Sequence, residues 1–96
     1  MSHMKTELLN RLDILQQAAE LTLGDRNDQH GDPFPNHNNI AQIWSVILGR
    51  TIAPFEVALC MAGLKLARLS GNPDNKDSYV DGAAYLAIAG ELFNRA

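Results

Sequence analysis

The sequence predicts an all-α fold of four helices, and three observations carry that expectation. Apolar residues recur at three- and four-residue steps along most of the chain. No stretch alternates with the period of two that a half-buried strand would show. Glycine and proline punctuation separates four such runs. With 96 residues and 46% hydrophobic content, the chain suits one small core. Residues 1–3 read as a cloning scar ahead of a native start at Met4, leaving 4–96 as a single helical domain.

The first run, Met4 to Leu23, places Leu8, Leu12, Leu15, Ala19 and Leu23 on one stripe, with Thr6 and Glu7 near its start and Gly24 at its end. Residues 24–36 hold two glycines, two prolines and a crowd of Asp, Asn and His, a polar loop long for mere connection. Phe34, between two prolines, is the residue expected to anchor that loop to the core. The second helix is expected over Asn36 to Leu48, with Ile40, Ile43, Trp44 and Ile47 inward, Asn36 or Asn38 as cap, and Gly49 closing it. The third runs from Pro54, where proline suits the first turn, to Leu69, with Glu56 favourable to the dipole. The fourth starts near Asp74 to Asp77 and reaches about Asn94, rich in Gly and Ala that admit a close neighbour.

Composition narrows the function classes. A net charge of −3 lacks the basic stripe of a duplex nucleic-acid binder. No apolar run reaches the roughly 20 residues needed to span a bilayer, and no leader is apparent, so a cytoplasmic protein without membrane association is expected. The single cysteine, Cys60, excludes an internal disulfide framework and reads as a small buried core residue. Helices three and four carry more apolar surface than a monomer of this size easily hides, which predicts a homo-oligomer with a dimer as the default.

Chemistry concentrates on the hairpin of helices three and four. Between Val57 and Leu69 only Lys65 and Arg68 are ionised; between Asp77 and Gly90 only Asp77 and Asp81, with Tyr85 extending their row. Charges in such apolar runs should be paired or should meet a ligand, because an unpaired buried charge costs several kcal/mol. Lys65 and Arg68 could grip phosphate or carboxylate. Asp77 and Asp81 could hold Mg²⁺ or accept from ribose hydroxyls, or they could pair with the two cations and fix the hairpin register. In the loop, Arg26 and His30 are further ligand candidates, His30 also as a base near neutral pH. His37 and Trp44 read as structural and core residues.

In order along the chain, Gly24-Asp25-Arg26, His30-Gly31-Asp32-Pro33, Asn39-Ile40-Ala41-Gln42-Ile43-Trp44, Lys65-Leu66-Ala67-Arg68 and Asp77-Ser78-Tyr79-Val80-Asp81-Gly82-Ala83-Ala84-Tyr85 resemble a family of short helical phage and prophage proteins of unassigned function. That family is in turn distantly similar to the MazG-like all-α nucleotide pyrophosphohydrolases. The second resemblance implies a helical oligomer in which Mg²⁺, held by a Glu-x-x-Glu pair and a later Glu-x-x-Asp pair, helps split a nucleoside triphosphate. Asp81 matches the final Asp, whereas Ser78 stands where the Glu belongs and Asp77 lies one residue earlier. The first acidic pair has no counterpart on helix two, which carries no acid.

The leading expectation is therefore a module that binds a nucleotide or nucleotide-derived signal among Arg26, His30, Lys65, Arg68, Asp77, Asp81 and Tyr85, sequestering a host defence signal or regulating nucleotide pools. The alternatives are a Mg²⁺-dependent pyrophosphohydrolase, with Asp77 and Asp81 on the metal, and a helical inhibitor that docks on a host enzyme.

Overall fold

In the computed structural model, residues 9–23 and 32–95 are described. They form α1 (Arg11–Thr22), α2 (Phe34–Leu48), α3 (Pro54–Gly71) and α4 (Lys76–Arg95), with no strand among the described residues. The all-α, four-helix expectation holds. None of these helices is long and apolar enough to cross a membrane.

Local chemistry sets the boundaries, and two starts differ from the sequence reading. Asn10, in extended backbone, accepts the Asp13 N–H at 2.9 Å, while the Asp13 carboxylate accepts the Asn10 N–H at 3.2 Å. This reciprocal box starts α1 at Arg11 rather than near Met4. Residues 4–8 lie outside the described residues. α2 begins at Phe34, because the Asp32 carboxylate accepts the Phe34 N–H at 3.0 Å. Asn36 and Asn38 consequently sit inside the helix and do not cap it. Phe34 is exposed at 40% and anchors nothing in the core.

The α2–α3 corner depends on one glycine and one hydroxyl. Gly49 adopts the left-handed conformation at φ 72° and donates its N–H to the Ser45 carbonyl, which ends α2 as expected. The Ser45 hydroxyl donates to the Ala41 carbonyl at 2.7 Å and accepts the N–H of buried Ile52 at 2.8 Å. After this corner, Glu56 accepts the Ala53 N–H and opens α3. The α3–α4 turn is closed by Asn75, whose side chain accepts the Ser78 N–H, and by the Tyr79 hydroxyl, which donates to the Pro73 carbonyl.

The antiparallel α3/α4 hairpin is the trunk, with α1 laid against α4 and α2 against α3. Ala18 of α1 packs with Val80 and Ala84 of α4. Ala41, Ile40 and Trp44 of α2 pack with Ile52, Val57 and Met61. Phe55 meets Phe93 edge-on at 5.0 Å and ties the start of α3 to the end of α4. Of the ten buried apolar residues among those described, six are alanines (Ala18, Ala41, Ala58, Ala62, Ala84, Ala89), so the helices approach closely but bury few large side chains. At Gly82, a Cβ would lie 3.6 Å from the Lys65 Cβ, which marks the near contact of the trunk.

Large side chains expected inside are instead outside. Ile43 and Ile47 are 59% and 71% exposed, because α2 meets the trunk through His37 and Ala41 and turns these isoleucines away. Cys60 is exposed too, since Val57, Ala58 and Ala62 are the residues that α3 turns inward.

Candidate functional site

Of the hairpin charges, Lys65 and Asp81 meet. The Lys65 ammonium lies 3.3 Å from Asp81 Oδ2, with the lysine side chain only 14% exposed and the aspartate 31%. Gly82, next to Asp81, lies against the base of the lysine stem, where a Cβ would stand at ordinary contact distance, 3.6 Å from the Lys65 Cβ. The ion pair fixes the register of the two helices. One helical turn away, Arg68 on α3 and Asp77 on α4 occupy neighbouring levels of the same antiparallel pair, and both are exposed. No ion pair joins them among the described residues. The cluster is thus closed at one level and open at the next.

Tyr85, one turn beyond Asp81, is half-buried and faces His37, their rings edge-on at 6.4 Å. His37 is buried at 6%, and its Nδ1–H donates to the Pro33 carbonyl at 2.9 Å, a structural placement as expected. Tyr85 therefore belongs partly to the α2–α4 contact and is not a free ligand donor across its whole ring. Arg26 and His30 lie outside the described residues.

The metal reading finds a poor donor set. Asp81 already contacts an ammonium, and a divalent cation there would sit beside Lys65. Among the described residues no three His, Cys, Asp or Glu side chains gather closely enough to hold a metal ion. Ser78, at the position of the missing glutamate, is 2% exposed in the first turn of α4, where a carboxylate would be desolvated. Asp32 is committed elsewhere. It caps α2 and accepts from the Arg95 guanidinium at 2.9 Å, and Arg95 also contacts Glu91. The Phe34 N–H, then Arg95, hold the Asp32 carboxyl below its ordinary range.

Sequence reasoning missed the Asp32–Arg95 contact and the Ser45 hinge. The first spans 63 positions and has no local signature. The second was legible only as a serine four residues before a helix-ending glycine. An open cleft of about 210 Å³, lined by Leu9, Ile14, Pro73, Asp74, Lys76 and Tyr79, lies at the α3–α4 turn and does not coincide with the charged cluster. Its volume is below the roughly 300 Å³ at which pockets begin to enclose small ligands.

The Gene 55 protein of Mycobacterium phage D29 is 34% identical over 80 residues, covering 83% of this chain and 53% of its own length. The Gene 55 protein of Mycobacterium phage L5 is 36% identical over 78 residues, covering 80% and 50%. The chain thus spans about half the length of the curated relatives it matches. No solved structure matches it. These relatives agree with the resemblance to phage proteins of unassigned function. A domain of unknown function, DUF6378, matches residues 13–93, and the chain belongs to that family.

Proposed function

We propose that this chain is a binding module for a nucleotide or nucleotide-derived signal, held at the charged edge of the α3/α4 hairpin and not turned over there. The supporting observation is the half-closed cluster: Lys65 and Asp81 pair across the seam, and one turn on, Arg68 and Asp77 lie exposed with no ion pair between them among the described residues. A guanidinium matches the bidentate geometry of phosphate, and a carboxylate accepts from sugar hydroxyls. Both on one edge suit a ligand that carries both groups. In a phage family, sequestering a host defence signal or adjusting nucleotide pools fits such a module.

The pyrophosphohydrolase reading needs metal charge to neutralise the developing phosphoryl charge. It is the weaker reading, because Asp81 is taken by Lys65 and buried Ser78 stands in for the glutamate. A thermal-shift screen against nucleoside mono-, di- and triphosphates and cyclic nucleotides, with and without Mg²⁺, separates the cases. A ligand at a hundred times its Kd adds about 2.7 kcal/mol of stability. That gain should disappear in Arg68→Ala, and denaturation should return the ligand intact. Release of pyrophosphate would favour the hydrolase instead. A melting temperature unmoved by every nucleotide would leave docking on a protein as the function.

A further inference from the structure

The α3–α4 turn carries a second chemistry, separate from the charged edge of the seam. Its open cleft of about 210 Å³ is assembled from three pieces: Leu9 and Ile14 on either side of the α1 start, Pro73 and Asp74 of the turn, and Lys76 and Tyr79 of the first turn of α4. Each piece is held by contacts of its own. Tyr79 donates its hydroxyl to the Pro73 carbonyl at 3.0 Å, which fixes the ring and the proline against each other. Ile14 packs on the Ala18, Val80 and Ala84 cluster. The Asp74 N–H donates to the Asn72 side chain at 3.1 Å, which sets the bend of the turn. The cleft is therefore formed before anything enters it, and a ligand need not order its walls.

The lining consists of four apolar residues and two opposite charges. Lys76 is half-buried and Asp74 exposed, and no ion pair joins them among the described residues. Lys76 also stands at the first position of α4, the end of a helix dipole that favours an anion over a cation. A carboxylate arriving there would meet both an ammonium and the helix start.

We propose that this cleft binds a free α-amino acid with an apolar side chain. Its carboxylate pairs with Lys76, its ammonium with Asp74, and its side chain lies along Leu9, Ile14 and the Tyr79 ring. The charge pattern selects the ligand partly by exclusion. A plain anion such as phosphate would face the Asp74 carboxylate, and a plain cation would face the Lys76 ammonium. A zwitterion leaves neither unpaired. Four apolar residues out of six offer little to the hydroxyls of a sugar. Size agrees, because pockets for drug-sized ligands begin near roughly 300 Å³ and a single amino acid is smaller than that class.

The test is a titration of the full chain with L-leucine and with L-phenylalanine, followed residue by residue in amide NMR spectra. Both should shift the Ile14, Asp74, Lys76 and Tyr79 amides saturably. N-acetyl-L-leucine lacks the ammonium and L-leucinamide lacks the carboxylate, and each should bind at least tenfold more weakly than L-leucine. Glycine, with no side chain for the walls, should be weakened as much. Lys76→Met should lower the affinity for L-leucine at least tenfold while helical circular dichroism persists. Absence of a saturable shift with both amino acids overturns the proposal. So does equal binding of L-leucine and its two blocked forms, which would reduce the cleft to an apolar surface blind to charge. Neither outcome touches the nucleotide reading, none of whose residues lines this cleft.

Discussion

The α3/α4 seam and the outer end of α2 are built from opposite materials. The seam is made of small residues and one ion pair: Ala58, Ala62, Ser78, Ala84 and Ala89 are buried, and Lys65 reaches Asp81 across them. The last two turns of α2 hold Ile43, Val46, Ile47 and Leu48, all at least 59% exposed. By side-chain type alone the second region should be the core. The difference teaches that depth here follows how closely two backbones approach, not how apolar the residues are. Alanine and glycine let α3 and α4 come together, and α2, meeting the trunk only through His37, Ala41 and its neighbours, leaves its bulk outside.

Four substitutions would break or sharpen this contrast. The largest effect should come from overfilling the seam: Ala62→Leu places a large side chain where the native residue is 3% exposed, and should cost about 1–3 kcal/mol or repack the hairpin, as chemical denaturation would show. Asp81→Ala should follow closely. It leaves the mostly shielded Lys65 ammonium without its partner, a loss of roughly 1–3 kcal/mol that the double change with Lys65→Met should largely restore. Ser45→Ala orphans the N–H of buried Ile52 and should cost about 1–2 kcal/mol, with faster amide exchange at Ile52 as its local mark. At the other extreme, Val46→Ser, 83% exposed, should shift monomer stability by less than about 0.5 kcal/mol. A larger effect there would place α2 in an interface.

Acid offers a further handle on the periphery. The Asp32 carboxyl is held below its ordinary value by the Phe34 N–H and by Arg95, so the folded chain favours its ionised form. Its contribution is present above about pH 4, the ordinary range of the unfolded group, and is lost as pH falls through the lowered folded value. Wild type and Asp32→Asn should therefore differ in melting temperature at neutral pH and converge in strong acid. A constant gap at all pH values would assign the effect to something other than charge.

Helix number, the Gly49 stop, the Pro54 start and the structural role of His37 were legible because each depends on neighbours within a turn or so. The start of α1 was misplaced although its signal was local: Asn10 three residues before Asp13 is a capping pair, and it outweighs the apolar stripe that continues upstream. The inward assignment of Ile43 and Ile47 failed for a different reason. Periodicity tells which residues share a face, but not which face finds a neighbour, and with α2 set at the margin of the trunk the more apolar face stayed outside. Cys60 follows the same logic on α3. At the candidate site, spacing left two readings open, pairing across the hairpin or contact with a ligand, and Lys65 with Asp81 follows the first. That Arg68 and Asp77 would not close in the same way depends on rotamers and solvation, which spacing does not encode.

The Arg95–Asp32 contact joins two places that chain order keeps apart. Arg95, in the last turn of α4, grips the carboxylate that launches α2, 63 positions upstream. Arg95→Ala should cut that tether without touching α2 itself, and faster amide exchange at Phe34 would record the loosened first turn.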